Sequence, residues 1–115
     1  MSDVSGATPP ANVYEGNGQL SVAVPLPGAH PEHTAVRLAP EHLEVVAECK
    51  YPQESQRYLR HEWQVGSWRL DLALPRRVDP STARASLNLG VLVVMAPFSE
   101  VGGASRSLDV SAPTS

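Results

Sequence analysis

Residues 68–97 read WRLDLALPRRVDPSTARASLNLGVLVVMAP, and this stretch decides the fold. Apolar residues alternate with other residues over 68–74, and again over 83–89. A period of two places alternate side chains on opposite faces of a β-strand. Residues 91–96 (VLVVMA) are apolar at every position, which is typical of a central strand. Prolines and a glycine separate these segments, so we predict three short strands joined by turns.

The same period of two continues upstream of this stretch. It covers residues 20–24, 35–38 and 43–47, with Pro- and Gly-containing turn signals between the segments. Eleven prolines spread along the chain exclude a helical bundle, because each one removes a helix hydrogen bond. Residues 57–64 (RYLRHEWQ) fit either an edge strand or a short helix. The sequence therefore predicts an all-β antiparallel sandwich or barrel.

Length, charge and cysteine content exclude several classes of protein. A chain of 115 residues suits one domain, and its net charge of −3 argues against a nucleic-acid binder. No apolar run reaches the roughly 18 residues of a membrane span. The first ten residues lack the charged and apolar regions of a secretory signal, and the single cysteine allows no intrachain disulfide. We therefore expect a cytoplasmic protein.

The two ends of the chain differ in composition from the middle. Residues 1–12 contain few large apolar side chains, and residues 98–115 are rich in Ser and Gly. Such segments bury too little surface to offset the entropy lost on ordering. We predict a flexible N-terminal arm over 1–12, a folded domain over 13–97 and a flexible C-terminal tail over 98–115.

Two long stretches resemble the α-crystallin domain of small heat-shock proteins. In residues 20–48, a Pro-Gly turn, a Pro-Glu step and a Leu-x-Val strand follow one another in that family's order. In residues 68–97, a strand ending in Leu-Pro and a Val-Asp step precede the family signature Ala-x-x-x-Asn-Gly-Val-Leu. The residues of this chain that match the signature are Ala85, Gly90, Val91 and Leu92.

This resemblance implies both a fold and a function. The fold is an immunoglobulin-like antiparallel β-sandwich of about seven or eight strands. The function is that of an ATP-independent holdase chaperone of the stress response, which binds partly unfolded client proteins and suppresses their aggregation. The alternative is a non-chaperone interaction module on the same sandwich, similar to the CS-domain co-chaperones, that binds one dedicated folded partner. A sandwich fold alone does not decide between the two.

The chain departs from the family pattern at three places. Leu89 stands where the signature has Asn. Leu70 stands where the family has an arginine at the dimer interface. The predicted arm over residues 1–12 is shorter than the usual arm of the family, which favours dimers or modest oligomers over large assemblies.

The tripeptide Leu108-Asp109-Val110 resembles the family's Ile-x-Ile/Val anchor, which docks in a groove of a neighbouring subunit. Two apolar side chains on one face of an extended tripeptide can fill two pockets while the backbone pairs with a sheet edge. The resemblance places the groove between residues 34–38 and 82–86. Its candidate lining residues are Val36, Leu38 and Thr82. The alternative is that Leu108 and Val110 are isolated apolar residues in a tail.

Residues 49–68 resemble the loop that, in bacterial and plant members of the family, carries a strand exchanged with the partner subunit. Tyr58, His61 and Trp63 would supply apolar area at such a homodimer interface. The alternative is a hairpin folded onto its own subunit.

The remaining motifs favour no enzymatic chemistry. Histidines at positions 30, 33, 42 and 61 are metal-ligand types, but a second ligand pair with zinc-site spacing is missing. No nucleophile elbow, P-loop or dinucleotide-binding glycine motif is present. We therefore predict no catalytic residues, no metal and no cofactor, and partners that are proteins rather than nucleic acids or membranes.

Overall fold

Strands make up most of the regular structure. The structure is a computed structural model that describes residues 7–48, 57, 59–60, 62, 66–100 and 103–112. In chain order the strands are β1 Asn12–Gly16, β2 Gln19–Pro25, β3 Thr34–Ala39, β4 His42–Ala47, β5 Trp68–Ala73, β6 Arg84–Asn88, β7 Val91–Pro97, β8 Arg106–Leu108 and β9 Val110–Ser111. Two single-turn 3-10 helices are η1 Pro31–His33 and η2 Pro80–Thr82. The predicted all-β class is confirmed.

The strands form two sheets that pack face to face as a sandwich. Sheet A has the strand order β5-β4-β3-β8, and sheet B has the order β1-β2-β7-β6-β9. The pairings are antiparallel except the one between β6 and β9, which is parallel. This is the antiparallel sandwich that the alternating pattern predicts. In the part of the chain that the structure describes, no helix has the length and apolar character needed to cross a membrane.

The core lies between the two sheets and is built from alternate residues of each strand. The inward residues of the predicted segments 20–24 and 43–47 are all buried. Burial of each Val or Leu side chain stabilises the fold by roughly 1.5–3 kcal/mol. The most deeply buried apolar residues of the strands are Val22, Val24, Val36, Leu38, Leu43, Val45, Ala47 and Leu92.

The alternation fails at Leu89, where it predicts an inward side chain and the structure has one that is 94% exposed. Leu89 and Gly90 form the two-residue turn between β6 and β7, with φ angles of +54° and +79°. Asn17 and Gly18 form the corresponding turn between β1 and β2, with φ angles of +55° and +78°. Positive φ at both positions is the geometry of a type I′ hairpin, which Asn-Gly adopts readily. Leu89 therefore occupies a left-handed conformation that disfavours residues other than Gly, Asn and Asp.

Replacement of Leu89 by Asn is expected to raise the free energy of unfolding by about 1 kcal/mol, because the left-handed strain is relieved. Little packing is lost, since the leucine side chain is almost fully exposed. Asn17→Leu is the matched control and should destabilise the other hairpin by a similar amount. Urea unfolding of both variants measures this, and a Leu89→Asn variant no more stable than the wild type would contradict the assignment of strain.

Described residues near both ends of the chain pair with the sheets, in segments that composition predicts to be flexible. Ala7 forms a parallel bridge with Trp68 at the edge of β5. The Ala7 N–H donates to the Ser67 carbonyl at 3.0 Å, and the Arg69 N–H donates to the Ala7 carbonyl at 2.9 Å. Pro9 is buried, and β8 and β9 lie inside the predicted flexible tail. The physical reason is that pairing with a sheet edge supplies backbone hydrogen bonds that composition does not reveal.

Candidate functional site

The candidate site is an apolar groove between one edge of each sheet, which we call the edge groove. Without the C-terminal residues, β3 would be the edge strand of sheet A and β6 the edge strand of sheet B. Val36 and Leu38 line the β3 side, and Ala85 lines the β6 side. All three are less than 5% exposed. An apolar groove flanked by two strand edges can hold an extended segment through both its backbone and its side chains.

Residues of the predicted tail occupy this groove. β8 pairs antiparallel with β3, so that Leu108 lies opposite Val36. β9 pairs parallel with β6, so that Val110 lies opposite Ala85. The tail thus crosses from one sheet to the other at Asp109, which is exposed. The resemblance predicts docking on a neighbouring subunit, whereas the structure seats the tripeptide on its own chain.

The two apolar side chains of the tripeptide contribute unequally. Leu108 is 6% exposed and belongs to the hydrophobic core. Val110 is half-buried and packs against that core. Burial of the leucine stabilises the docked tail by about 2 kcal/mol. Ala85, the first residue of the signature, is buried directly opposite Val110, and its small side chain leaves room for the tail.

Polar side chains hold the tail at its N-terminal end. The Arg106 guanidinium donates to the Pro80 carbonyl at 3.0 Å. The Arg37 guanidinium donates to Ser105 Oγ at 3.1 Å. The sequence pattern does not reveal the role of either arginine, because each donates a hydrogen bond to a residue that is distant in the chain. A basic residue two positions before the anchor leucine is the signal that sequence reasoning missed.

The short helix η2 presents the Pro80 carbonyl to the tail. Asp79 caps this helix, since its Oδ1 accepts from the Ser81 N–H at 2.9 Å and from Ser81 Oγ at 2.7 Å. These hydrogen bonds lower the pKa of Asp79 below its usual value, because they stabilise the ionised carboxylate. Thr82, predicted to line the groove, is instead exposed on η2. The buried residue of this helix is Pro80, because the proline ring faces the core while the threonine faces solvent.

The other signature residues build the hairpin beside the groove. Gly90 has a φ of +79°, and a Cβ there would lie 3.9 Å from the Pro27 Cα. The Leu26 N–H donates to the Gly90 carbonyl at 2.7 Å, which ties the hairpin turn to the end of β2. Leu92 is fully buried, and Val91 is 37% exposed on the outer face. The signature therefore combines two core positions, Ala85 and Leu92, with one turn glycine and one surface valine.

The connection between β4 and β5 lies largely outside the described residues. The predicted dimer-loop residues Tyr58, His61 and Trp63 are outside them, as is Cys49. Their roles stay predictions.

The histidines of the described chain form no metal centre. Among residues 7–48, 66–100 and 103–112 and the described positions between them, no group of three or more His, Cys, Asp or Glu could hold a metal ion. The His30 and His33 rings meet edge to face, with 6.4 Å between their centroids. His42 hydrogen-bonds Asp71 across β4 and β5. These contacts give the histidines local structural partners.

Strand β1 forms the other edge of sheet B. It pairs with β2, and all five of its residues are exposed. Because Gly16 and Gln19 flank a two-residue turn, they form a hydrogen-bonded pair, and the pairing type alternates along the strand. The backbone N–H and C=O groups of Val13 and Glu15 therefore point away from β2. Such an edge is a template for a further strand.

Comparisons with known proteins agree with this geometry. The sequence profile of the Hsp20/alpha crystallin family matches residues 12–111. Heat shock protein 16.0 from Schizosaccharomyces pombe superposes with a TM-score of 0.71 and 26% identity, over 84% of this chain and 71% of that chain. The hspA protein from Xanthomonas axonopodis gives 0.71 and 26%, over 82% and 96%.

A small heat-shock protein from Xylella fastidiosa, described as having a distinct high order structure, gives a TM-score of 0.68 and 28% identity, over 85% of this chain and 92% of that chain. Comparison with curated protein sequences gave no significant match.

Proposed function

Because this chain belongs to the Hsp20/alpha crystallin family, we propose that it is an ATP-independent holdase chaperone that binds partly unfolded proteins and suppresses their aggregation. The observation that best supports this proposal is the edge groove, where Leu108 is buried between β3 and β6. A groove that holds one extended apolar segment can hold another of similar pattern. Binding alone would suffice, since a protein that holds the unfolded state lowers the concentration free to aggregate.

In this proposal the tail controls access to the edge groove. While Leu108 and Val110 are docked, Val36, Leu38 and Ala85 are covered. Release of the tail exposes these three residues together with the backbone edges of β3 and β6. Heating favours release, because the docked tail loses conformational entropy that weighs more as temperature rises. A tail from a second subunit could close the groove in the same way, which would link closure to assembly.

We further propose a cytoplasmic homodimer formed by strand exchange. The exposed edge of β1 would accept a strand from the β4–β5 connection of a second copy. Tyr58, His61 and Trp63 belong to that connection and would add apolar contact area. Higher oligomers would follow if tails also docked between subunits.

Val13→Pro is expected to weaken dimer association by about tenfold, because proline removes the outward N–H of β1 and its ring obstructs the incoming strand. The ladder with β2 should survive, since Val13 does not donate to β2. Val13→Thr keeps the N–H and is the matched control. Light scattering across a dilution series measures the mass of each variant. Equal masses for the Pro and Thr variants at every dilution would exclude exchange at β1.

The chaperone proposal is tested by heating citrate synthase with and without this protein, in the absence of ATP, and by following light scattering. A holdase should suppress the signal at a near-stoichiometric ratio of subunit to client. Absence of suppression by the folded, soluble protein would overturn the proposal. It would then favour an interaction module with one dedicated folded partner, to be sought by pull-down.

A further inference from the structure

Strand β7 has apolar side chains on both of its faces. Leu92, Val94 and Ala96 point into the core and are buried. The outward residues of β7 and of its neighbour β2 are also mostly apolar, although a two-layer sandwich exposes that side to water. No further layer covers them among the residues that the structure describes. We call this surface the uncharged face and define it by Ala23, Pro25, Val91, Val93 and Met95, with the exposed turn residue Leu89 at its end.

The uncharged face differs in charge from the outer face of sheet A. Residues 16–29 and 85–99, which supply it, contain no Asp, Glu, Lys, Arg or His, and the exposed Arg84, which pairs with Met95, borders it at the end away from Leu89. The outer face of sheet A carries charged side chains instead, with Arg69 and Glu44 paired at 3.5 Å and His42 bonded to Asp71. Charge on a surface disfavours contact with apolar groups because it must be desolvated. Of the outer faces of the two sheets, the uncharged face is therefore the one suited to apolar, uncharged partners.

Leu89 stands at the end of the uncharged face and makes few contacts with the rest of the subunit. Its side chain is 94% exposed, so contacts within the subunit do not offset its left-handed backbone. The same turn position in the β1–β2 hairpin is Asn17, which suits that backbone. Backbone strain that no contact within the fold offsets favours a role for this side chain in contact with another molecule. Val91 and Pro25, paired beside the turn and exposed, continue the apolar surface from this tip.

The size of the face indicates what kind of partner it fits. Two strands about 20 Å long and about 4.8 Å apart give the face an area on the order of 200 Å². A stable homodimer needs about 800 Å² per partner, so a second copy would not be held by this surface alone. An extended peptide segment has the length of a strand and needs no more area than the face provides. The edge groove, the other apolar surface described above, is already occupied by Leu108.

We propose that the uncharged face binds extended, uncharged apolar segments of partly unfolded proteins while the tail still covers the edge groove. This inference rests on the proposed holdase function and assigns it a second binding surface. Leu89 and Val91 make the most exposed contacts. Binding to this face requires no release of the tail, so it operates before heating opens the groove.

The test uses fluorescently labelled, reduced and carboxymethylated lactalbumin, which stays unfolded in buffer, and measures its binding to the full chain by anisotropy. The double variant Leu89→Asn/Val91→Thr should bind about tenfold more weakly, because two apolar contacts are lost. Its first substitution is expected to stabilise the fold, so weaker binding would not reflect unfolding. Val46→Thr makes a comparable change on the outer face of sheet A and should leave affinity unchanged.

The salt dependence of the binding affinity distinguishes an uncharged binding surface from a charged one. Affinity should change less than about twofold between roughly 50 mM and 500 mM NaCl, because the contacts carry no charge. Equal binding by the double variant and the wild type would overturn the inference and leave the holdase proposal standing. Absence of probe binding by the wild type would also overturn it. The holdase proposal itself fails only if the wild type does not suppress citrate synthase aggregation.

Discussion

Replacement of both Leu108 and Val110 by glycine is expected to lower the free energy of unfolding by about 3 kcal/mol. Leu108 is 6% exposed and lies opposite Val36, so its removal opens a cavity at the edge of the core. Glycine also increases the entropy that the tail loses on docking. The exposed groove should bind an apolar fluorescent dye more strongly than the wild type does. Urea unfolding and dye titration measure the two effects.

Asp109→Ala is the matched control for this pair, because Asp109 is exposed between the two anchor residues. It should leave both the unfolding midpoint and the dye signal unchanged. A double-glycine variant as stable as the alanine control would show that the tail does not dock. Light scattering separates docking within one chain from docking between chains. Exchange between subunits requires the double-glycine assembly to be smaller, whereas docking within one chain leaves its mass unchanged.

Trp68→Ala is expected to destabilise the protein by about 3–5 kcal/mol, because a large side chain is lost at the end of the core. Trp68 is 7% exposed, and it lies beside Ala47 and bridges to Ala7. Its indole Nε1 is buried without a hydrogen-bond partner among the described residues. Trp68→Phe removes this unpaired N–H along with part of the apolar area. We therefore expect Phe to change stability by less than about 1 kcal/mol.

Urea unfolding of the Phe and Ala variants distinguishes the two contributions, since both lose the N–H and only one loses the aromatic ring. Far-ultraviolet circular dichroism is the suitable signal, because the substitution removes a fluorophore. If the Phe variant were as unstable as the Ala variant, the indole N–H would have to form a stabilising hydrogen bond.

Local periodicity is sufficient to predict the inner faces of the long strands. In residues 20–24 and 43–47 every second position is apolar, and these inward residues are buried as predicted. The turn at Gly90 is predictable as well, since glycine tolerates the positive φ found there. In these places the local chemistry and the tertiary environment favour the same conformation.

The position of the tail is not predictable in the same way. β8 and β9 are too short to display a period, and their conformation depends on backbone pairing with strands far away in the chain. Ala7 pairs with β5 for the same reason and carries no distinguishing side chain. Alternation places Leu89 on the inner face because a period of two does not reveal where a ladder ends. The resemblance places Thr82 in the groove, whereas η2 turns it towards solvent.

The docked tail also sets the concentration that a free peptide must reach to compete for the edge groove. Phe98 is fixed at the end of β7 by its N–H, which donates to the Gly18 carbonyl at 3.1 Å, and only residues 99–105 separate it from β8. A tether this short holds the anchor near the groove at an effective concentration in the millimolar range. A free peptide of equal intrinsic affinity would have to reach that concentration to displace it. Access to the groove should therefore respond to temperature far more than to the amount of unfolded protein.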